Sequence, residues 1–387
     1  MATDTDKPQP FHLNVPDSTL AHIRAKIRAF PWEQMPAMAG WEAGTNSAYL
    51  QSLCDYWVTD FDWATAQARI NQFDHFTVPI NGIPIHYIHL RGSGANPRPL
   101  LLSHGWPGSI CEFLDILEPL AHPERFGGNS EDSFDIIAPS LPGFAFSGAP
   151  PRPYGPRQMA GVLNTLMTDV LGYDTYMAQG GDWGGAICSW LGFDHAAHCT
   201  AIHINILTMR HPNGPQTDAE RAWARQFDRD QIMQDGYRTQ QATKPQTLAY
   251  AMIDNPVAVA AWLIEKFTAW SDVPNNDVEA AHSKDALLTN IMIYLVTNCF
   301  ATAAWIYYGR REEGGRIFSP EGDRVEVPTG CALFPAEMLA WPPRSYVDRL
   351  YNVTHWTEMP RGGHFAAMEE GALLVDDIRA FARTLRR

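Results

Sequence analysis

"QGGDWGGA", Gln179–Ala186, decides how the rest of the chain is read. One acid, Asp182, stands between two pairs of glycines. Glycine is the residue for tight or strained backbone, so a sharp turn built around a carboxylate is expected. The run Tyr173–Ala178 precedes this turn and a helix-like stretch, "AICSW", follows it. Strand, turn and helix in that order make a nucleophile elbow, which wants small residues at Gly180, Gly184 and Gly185 because larger ones would clash. Serine is the usual centre of such an elbow, and here the centre is Asp182.

Outward from the elbow, short apolar runs alternate with helical patterns. "RPLLLSHGWPG", "DIIAPSLPGFAFSG" and "TAIHINIL" each read as a strand that ends in a turn. Before them, two runs flank Asn81-Gly82, a strong hairpin signal. Together they predict a mostly parallel, buried sheet. Residues 1–75 read as a helical and irregular meander. In it, Asp17 or Ser18 caps a helix with Leu20, Ile23, Ile27 and Phe30 on one face. Residues 76–207 form the first part of the sheet core and 208–325 a helical insertion. The core resumes over 326–387 with "PTGCALFP", "YNVTHWTEM" and a last helix, "GALLVDDIRAFARTL".

The balance of 45% hydrophobic and 19% charged residues is that of a globular protein. A net charge of −14, with no long basic run, argues against nucleic acid and acidic membranes as partners. Cys54, Cys111, Cys188, Cys199, Cys299 and Cys331 form no C-x-x-C pair, so a reducing cytoplasm is expected. The polar start "MATDTDKPQPF" has no apolar segment of a signal peptide. Leu287–Tyr308 is uncharged and long enough to cross a bilayer, but Asn290, Tyr294 and Asn298 fall on one helical face. A single buried helix with a polar stripe is the expectation.

In an open parallel sheet, functional groups gather at the carboxyl ends of strands. Asp182, Glu337 after "CALFP" and His364 in "RGGHF" stand there, in the order nucleophile, acid, histidine. A carboxylate attacks a saturated carbon and forms an alkyl ester. Water activated by His364 then attacks the carbonyl of that ester, with Glu337 orienting the imidazole. The N–H groups of Trp183 and of Trp106, in "HGWPG", are candidates for the oxyanion hole. His195, His198 and His203 invite a metal reading, but no carboxylate or cysteine pattern completes it.

With "HGWPGS", "PSLPGFAFS", "GGDWGG", "LLTNIMIYLVTN", "FPAE" and "RGGHFAAMEE" all present, the chain resembles the microsomal-type epoxide hydrolases of the α/β-hydrolase superfamily. The N-terminal "FHLNVPDSTL" resembles that family's N-terminal domain. The resemblance implies an α/β-hydrolase core with a cap inserted after about residue 207, and Asp182 as nucleophile, His364 as base and Glu337 as acid. It also implies two cap tyrosines that hydrogen-bond the epoxide oxygen, Tyr237 and Tyr307, with Tyr308 as rival to the second. Helical counting along the polar stripe favours Tyr308. The chemistry asks for such an acid, because an alkoxide leaves poorly unless protonated.

The implied substrate is a small hydrophobic epoxide bound against Trp106 and Trp183, with no metal and no organic cofactor. Membrane-bound members carry an N-terminal anchor, and the absence of one here leads us to expect a soluble protein, with a homodimer left open. A haloalkane dehalogenase shares the aspartate nucleophile and would use Trp183 and Trp106 as halide donors. A hydrophobic-ligand binding protein on the same fold is the non-catalytic rival. A serine-type esterase is disfavoured by Asp182.

Overall fold

The computed structural model describes residues 7–36 and 38–386. The start of the chain, residues 1–6, read above as free of a signal segment, lies outside them.

Among the described residues nine strands form one sheet. They are β1 (Gln9–Phe11), β2 (His75–Ile80), β3 (Ile83–Leu90), β4 (Arg98–Ser103), β5 (Phe134–Pro139), β6 (Tyr176–Gly180), β7 (Cys199–Ile204), β8 (Val325–Leu333) and β9 (Tyr351–Glu358). Their order is β1-β2-β3-β5-β4-β6-β7-β8-β9. The first three pairings are antiparallel and the rest are parallel. The hairpin turn between β2 and β3 is Asn81-Gly82, both at positive φ, as its sequence predicts. Every residue of β5 is buried, which explains its unbroken apolar reading. The strand β1 was not legible: three residues with a proline carry no alternation, and only pairing with β2 defines them.

The N-terminal segment joins the sheet through β1 and is fastened to itself and to the cap. The side chains of Asn71 and Gln67 accept the Leu13 and Val15 N–H groups at 3.0 and 2.9 Å. Thr45 donates to the Ala261 carbonyl at 2.6 Å, and Tyr56 to Asp285 at 2.9 Å, both in the helical region between β7 and β8. The first helix, Asp17–Arg28, differs from expectation at its start. Pro16 occupies the cap position, no side chain caps it, and Asp17 is the first helical residue. Proline's fixed φ suits that boundary, and the Asp17 carboxylate still favours the positive end of the helix.

The long uncharged stretch is also corrected. It is two helices, Lys284–Val296 and Phe300–Glu312, bent by 88°. Asn298 sits in the break with φ +52 and is exposed, so the polar stripe stops at Tyr294. Among the described residues no single helix is long and apolar enough to cross a membrane.

Candidate active site

The elbow forms where β6 meets the helix Asp182–Asp194. Asp182 itself takes φ +46, a left-handed conformation that costs about 1–3 kcal/mol outside glycine. The neighbouring glycines permit this. A Cβ on Gly184 would run into the Ser103 carbonyl at the end of β4. A Cβ on Gly105 would strike the Asp182 carboxylate.

The carboxylate is held on both sides. The Trp106 N–H donates to Oδ1 at 2.7 Å. His364 Nε2 stands 3.4 Å from Oδ2. The other ring nitrogen of His364, Nδ1, is 2.9 and 3.0 Å from the two Glu337 oxygens. Histidine and acid are both buried. Burial alone would lower the imidazole pKa; Glu337 and Asp182 outweigh it and hold the group well above its ordinary value. The three residues chosen from sequence therefore meet in one line. Trp183 follows Asp182 in the first turn of its helix, where N–H groups have no partner within the helix.

Across from Asp182, Tyr237 and Tyr307 close the cavity. The Trp106 ring stacks on Tyr237 with centroids 5.3 Å apart, and the Tyr307 ring lies edge-on to Trp183 at 4.6 Å. The two tyrosine rings are 5.8 Å apart. Burial first, with the Asp182 charge adding, raises both phenols far above their ordinary pKa, so both remain O–H donors. Tyr308 turns elsewhere, toward the Arg311 guanidinium. Helical counting favours Tyr308 only for a continuous helix; the break at Asn298 resets the phase and turns Tyr307 inward.

The surviving part of the polar stripe grips the loop that presents Trp106. Asn290 donates to the Pro107 carbonyl at 2.9 Å and accepts from Ser109 at 2.8 Å. Tyr294 donates to the Gly108 carbonyl at 2.9 Å.

Sequence reasoning missed three residues here. Glu112 accepts the Gly105 N–H; burial raises its carboxyl to about 8, with His364 opposing and Asp182 adding to the rise. Glu369 accepts the N–H groups of Asp272, Gly363 and Phe365 at 2.7, 3.0 and 2.8 Å, clamping the turn around His364. Trp270 accepts the His364 N–H on its carbonyl at 2.9 Å and sets its ring 4.9 Å from the imidazole. Glu369 lies within a quoted motif, five residues after His364, and Glu112 three residues beyond another, and that proximity was the available signal. Trp270 is distant in sequence and carries none. His203 and His198 serve other partners, the Asp377 carboxylate and the Asp174 carbonyl, each at 2.9 Å.

Comparison with known proteins accords with this geometry. A family model described as the epoxide hydrolase N terminus matches residues 8–113, and one for the alpha/beta hydrolase fold matches residues 98–281. Epoxide hydrolase 1 of Sus scrofa is 32% identical over 413 residues, covering 100% of this chain and 91% of its own. Juvenile hormone epoxide hydrolase 1 of Ctenocephalides felis is 30% identical over 395 residues, covering 96% and 84%. The solved epoxide hydrolase of Aspergillus niger superposes with a TM-score of 0.84 at 29% identity, covering 98% of this chain and 97% of that one. An aspartate-centred elbow under a cap with paired phenols, and relatives that match over nearly the whole of this chain, lead to one assignment: the chain belongs to the epoxide hydrolase family of the α/β-hydrolase fold.

Proposed function

We propose that the protein hydrolyses an epoxide to a vicinal diol through an alkyl ester on Asp182. Oδ2 is the attacking atom, since Oδ1 is held by the Trp106 N–H. It displaces the ring oxygen from a saturated carbon as Tyr237 and Tyr307 hydrogen-bond that oxygen and one of them gives it a proton. Oδ1 is then the carbonyl oxygen of the ester, already seated against an N–H donor. Ester formation removes the Asp182 charge and leaves His364 with one carboxylate partner, Glu337, so the imidazolium gives its proton to the phenolate and becomes neutral.

Neutral His364 takes a proton from water as the oxygen of that water attacks the ester carbonyl. The N–H groups of Trp106 and Trp183 stabilise the oxyanion on Oδ1. Collapse releases the second hydroxyl of the diol with the other proton of the water, and His364 keeps the proton taken from the water, which restores its charge beside Asp182 and Glu337.

The observation that carries this reading is the Asp182–His364–Glu337 line with two buried phenols opposite it. A single turnover in heavy-oxygen water tests it. The first diol is expected to carry light oxygen from Asp182; solvent label in that diol, with turnover surviving in Asp182→Ala, would sink the mechanism.

One observation favours a second reading. The indole N–H of Trp106 is buried without a hydrogen-bond partner among the described residues, as a halide donor would be. Release of chloride or bromide from haloalkanes at rates matching epoxide turnover would support a dehalogenase instead.

A further inference from the structure

The proposed reaction leaves a cluster of arginines unused. Arg238, Arg310 and Arg316 line the small cavity at Asp182 and Tyr307 and also an adjoining cavity of about 390 Å³. Arg210 is close enough for its charge to act on both Arg310 and Arg316. Few acids answer them. Asp182 attracts Arg310, Asp235 is paired with Arg238, and Asp228, which attracts Arg210, is exposed.

Arg310 is buried and donates to the Thr208 and Gly315 carbonyls at 2.8 and 3.4 Å. Arg316 is half-buried, and its guanidinium has neither a hydrogen bond nor an ion pair among the described residues. Burial first, and the neighbouring arginines second, lower Arg310 to about 10 and Arg316 well below its ordinary value. A guanidinium taken out of water without a counter-charge is costly. The chain as a whole carries −14, so this cluster runs against its overall composition. Positive charge concentrated in a cleft attracts anions.

We propose that the epoxide hydrolysed here carries a carboxylate, which Arg310 and Arg316 receive in the adjoining cavity while the ring lies under Tyr237 and Tyr307. This rests on the epoxide reading above. The Trp183 ring sets the length of the substrate: it lies 4.6 Å from the Tyr307 ring and 5.1 Å from the Arg310 guanidinium. Trp183 therefore stands beside both ends of a substrate that reaches from the phenols into the adjoining cavity. A medium-length chain spans that reach, and a glycidate does not.

The test compares a terminal epoxyoctanoate with its methyl ester on the wild type and on Arg316→Gln. The wild type is expected to favour the acid by about tenfold in kcat/KM, the lower end for one charge-assisted hydrogen bond. Arg316→Gln is expected to remove most of that ratio, and added salt to compress it. In the wild type, octanoate is expected to compete with the ester at concentrations where octanol does not, a readout that needs no variant to fold. Ester turnover equal to or faster than acid turnover, or a ratio unmoved by Arg316→Gln, would overturn the proposal while leaving epoxide hydrolysis standing. Stimulation of ester turnover by inorganic phosphate would assign the cluster to a free anion and overturn it too. Failure of acid and ester alike would overturn the epoxide reading, and this proposal with it.

Discussion

Holding Asp182 at φ +46 keeps its carboxylate between the Trp106 N–H and His364 before any substrate arrives. The strain is therefore part of the preorganisation on which electrostatic catalysis depends. In the proposed mechanism attack needs the carboxylate and the cap phenols but no base, whereas release needs the imidazole as base. His364→Gln is accordingly expected to alkylate and stall, gaining one substrate mass per chain in intact-protein mass spectrometry. Asp182→Asn is expected to gain none. An unmodified His364→Gln chain after incubation with epoxide would show that His364 is needed earlier than the base role requires. At this scale much was legible, because Asp182, Glu337 and His364 each sit in a short motif at a strand end. Glu112 and Glu369 were not singled out, because their roles depend on which backbone N–H groups the fold turns toward them.

Among the elements, the break between Lys284–Val296 and Phe300–Glu312 has the largest effect on the site. The first helix fixes the Trp106 loop through Asn290 and Tyr294, and the second delivers Tyr307. A hydrophobic run with no proline or glycine gives no sign of a sharp bend; only Asn298, tolerant of positive φ, marks it. Tyr307→Phe is expected to slow ester formation by about 10²-fold, the low end for a lost general acid. Tyr308→Phe is expected to leave the rate close to that of the wild type. Stopped-flow tryptophan fluorescence checks both, since Trp106 and Trp183 border the reacting atoms. A slower Tyr308→Phe with a normal Tyr307→Phe would reverse the assignment.

At the scale of the whole molecule, the sheet was readable because β4, β5, β6 and β7 are buried apolar runs, each ending in a turn. The antiparallel edge was only half readable: the β2–β3 hairpin has its Asn-Gly signal, whereas β1 depends on its partner. The last helix, Gly371–Thr384, is fastened to the sheet by Asp377, 2.9 Å from His203 on β7 and 2.7 Å from His355 on β9. Burial would raise the Asp377 pKa, but the hydrogen bonds from His203 and His355 outweigh it and hold the group well below its ordinary value. A depressed carboxyl contributes stability above its unfolded pKa of about 4 and loses it as pH falls toward the folded value. Asp377→Asn is expected to cost about 3 kcal/mol at pH 7, as for other broken buried pairs, with the deficit shrinking below about pH 4. Thermal unfolding of both proteins across that range measures it, and a deficit independent of pH would reject the linkage.

The hydrogen bond from the His364 backbone N–H to the Trp270 carbonyl joins the proposed general base to the cap. Because that bond crosses from core to cap, cap seating and alignment of the base share one free energy, and each must strengthen the other by the same amount. A ligand that draws the cap down therefore tightens the machinery that destroys it. A substitution that loosens the cap, even one far from Asp182, is expected to slow release of the diol through His364 as well as capture of the epoxide through Tyr237 and Tyr307.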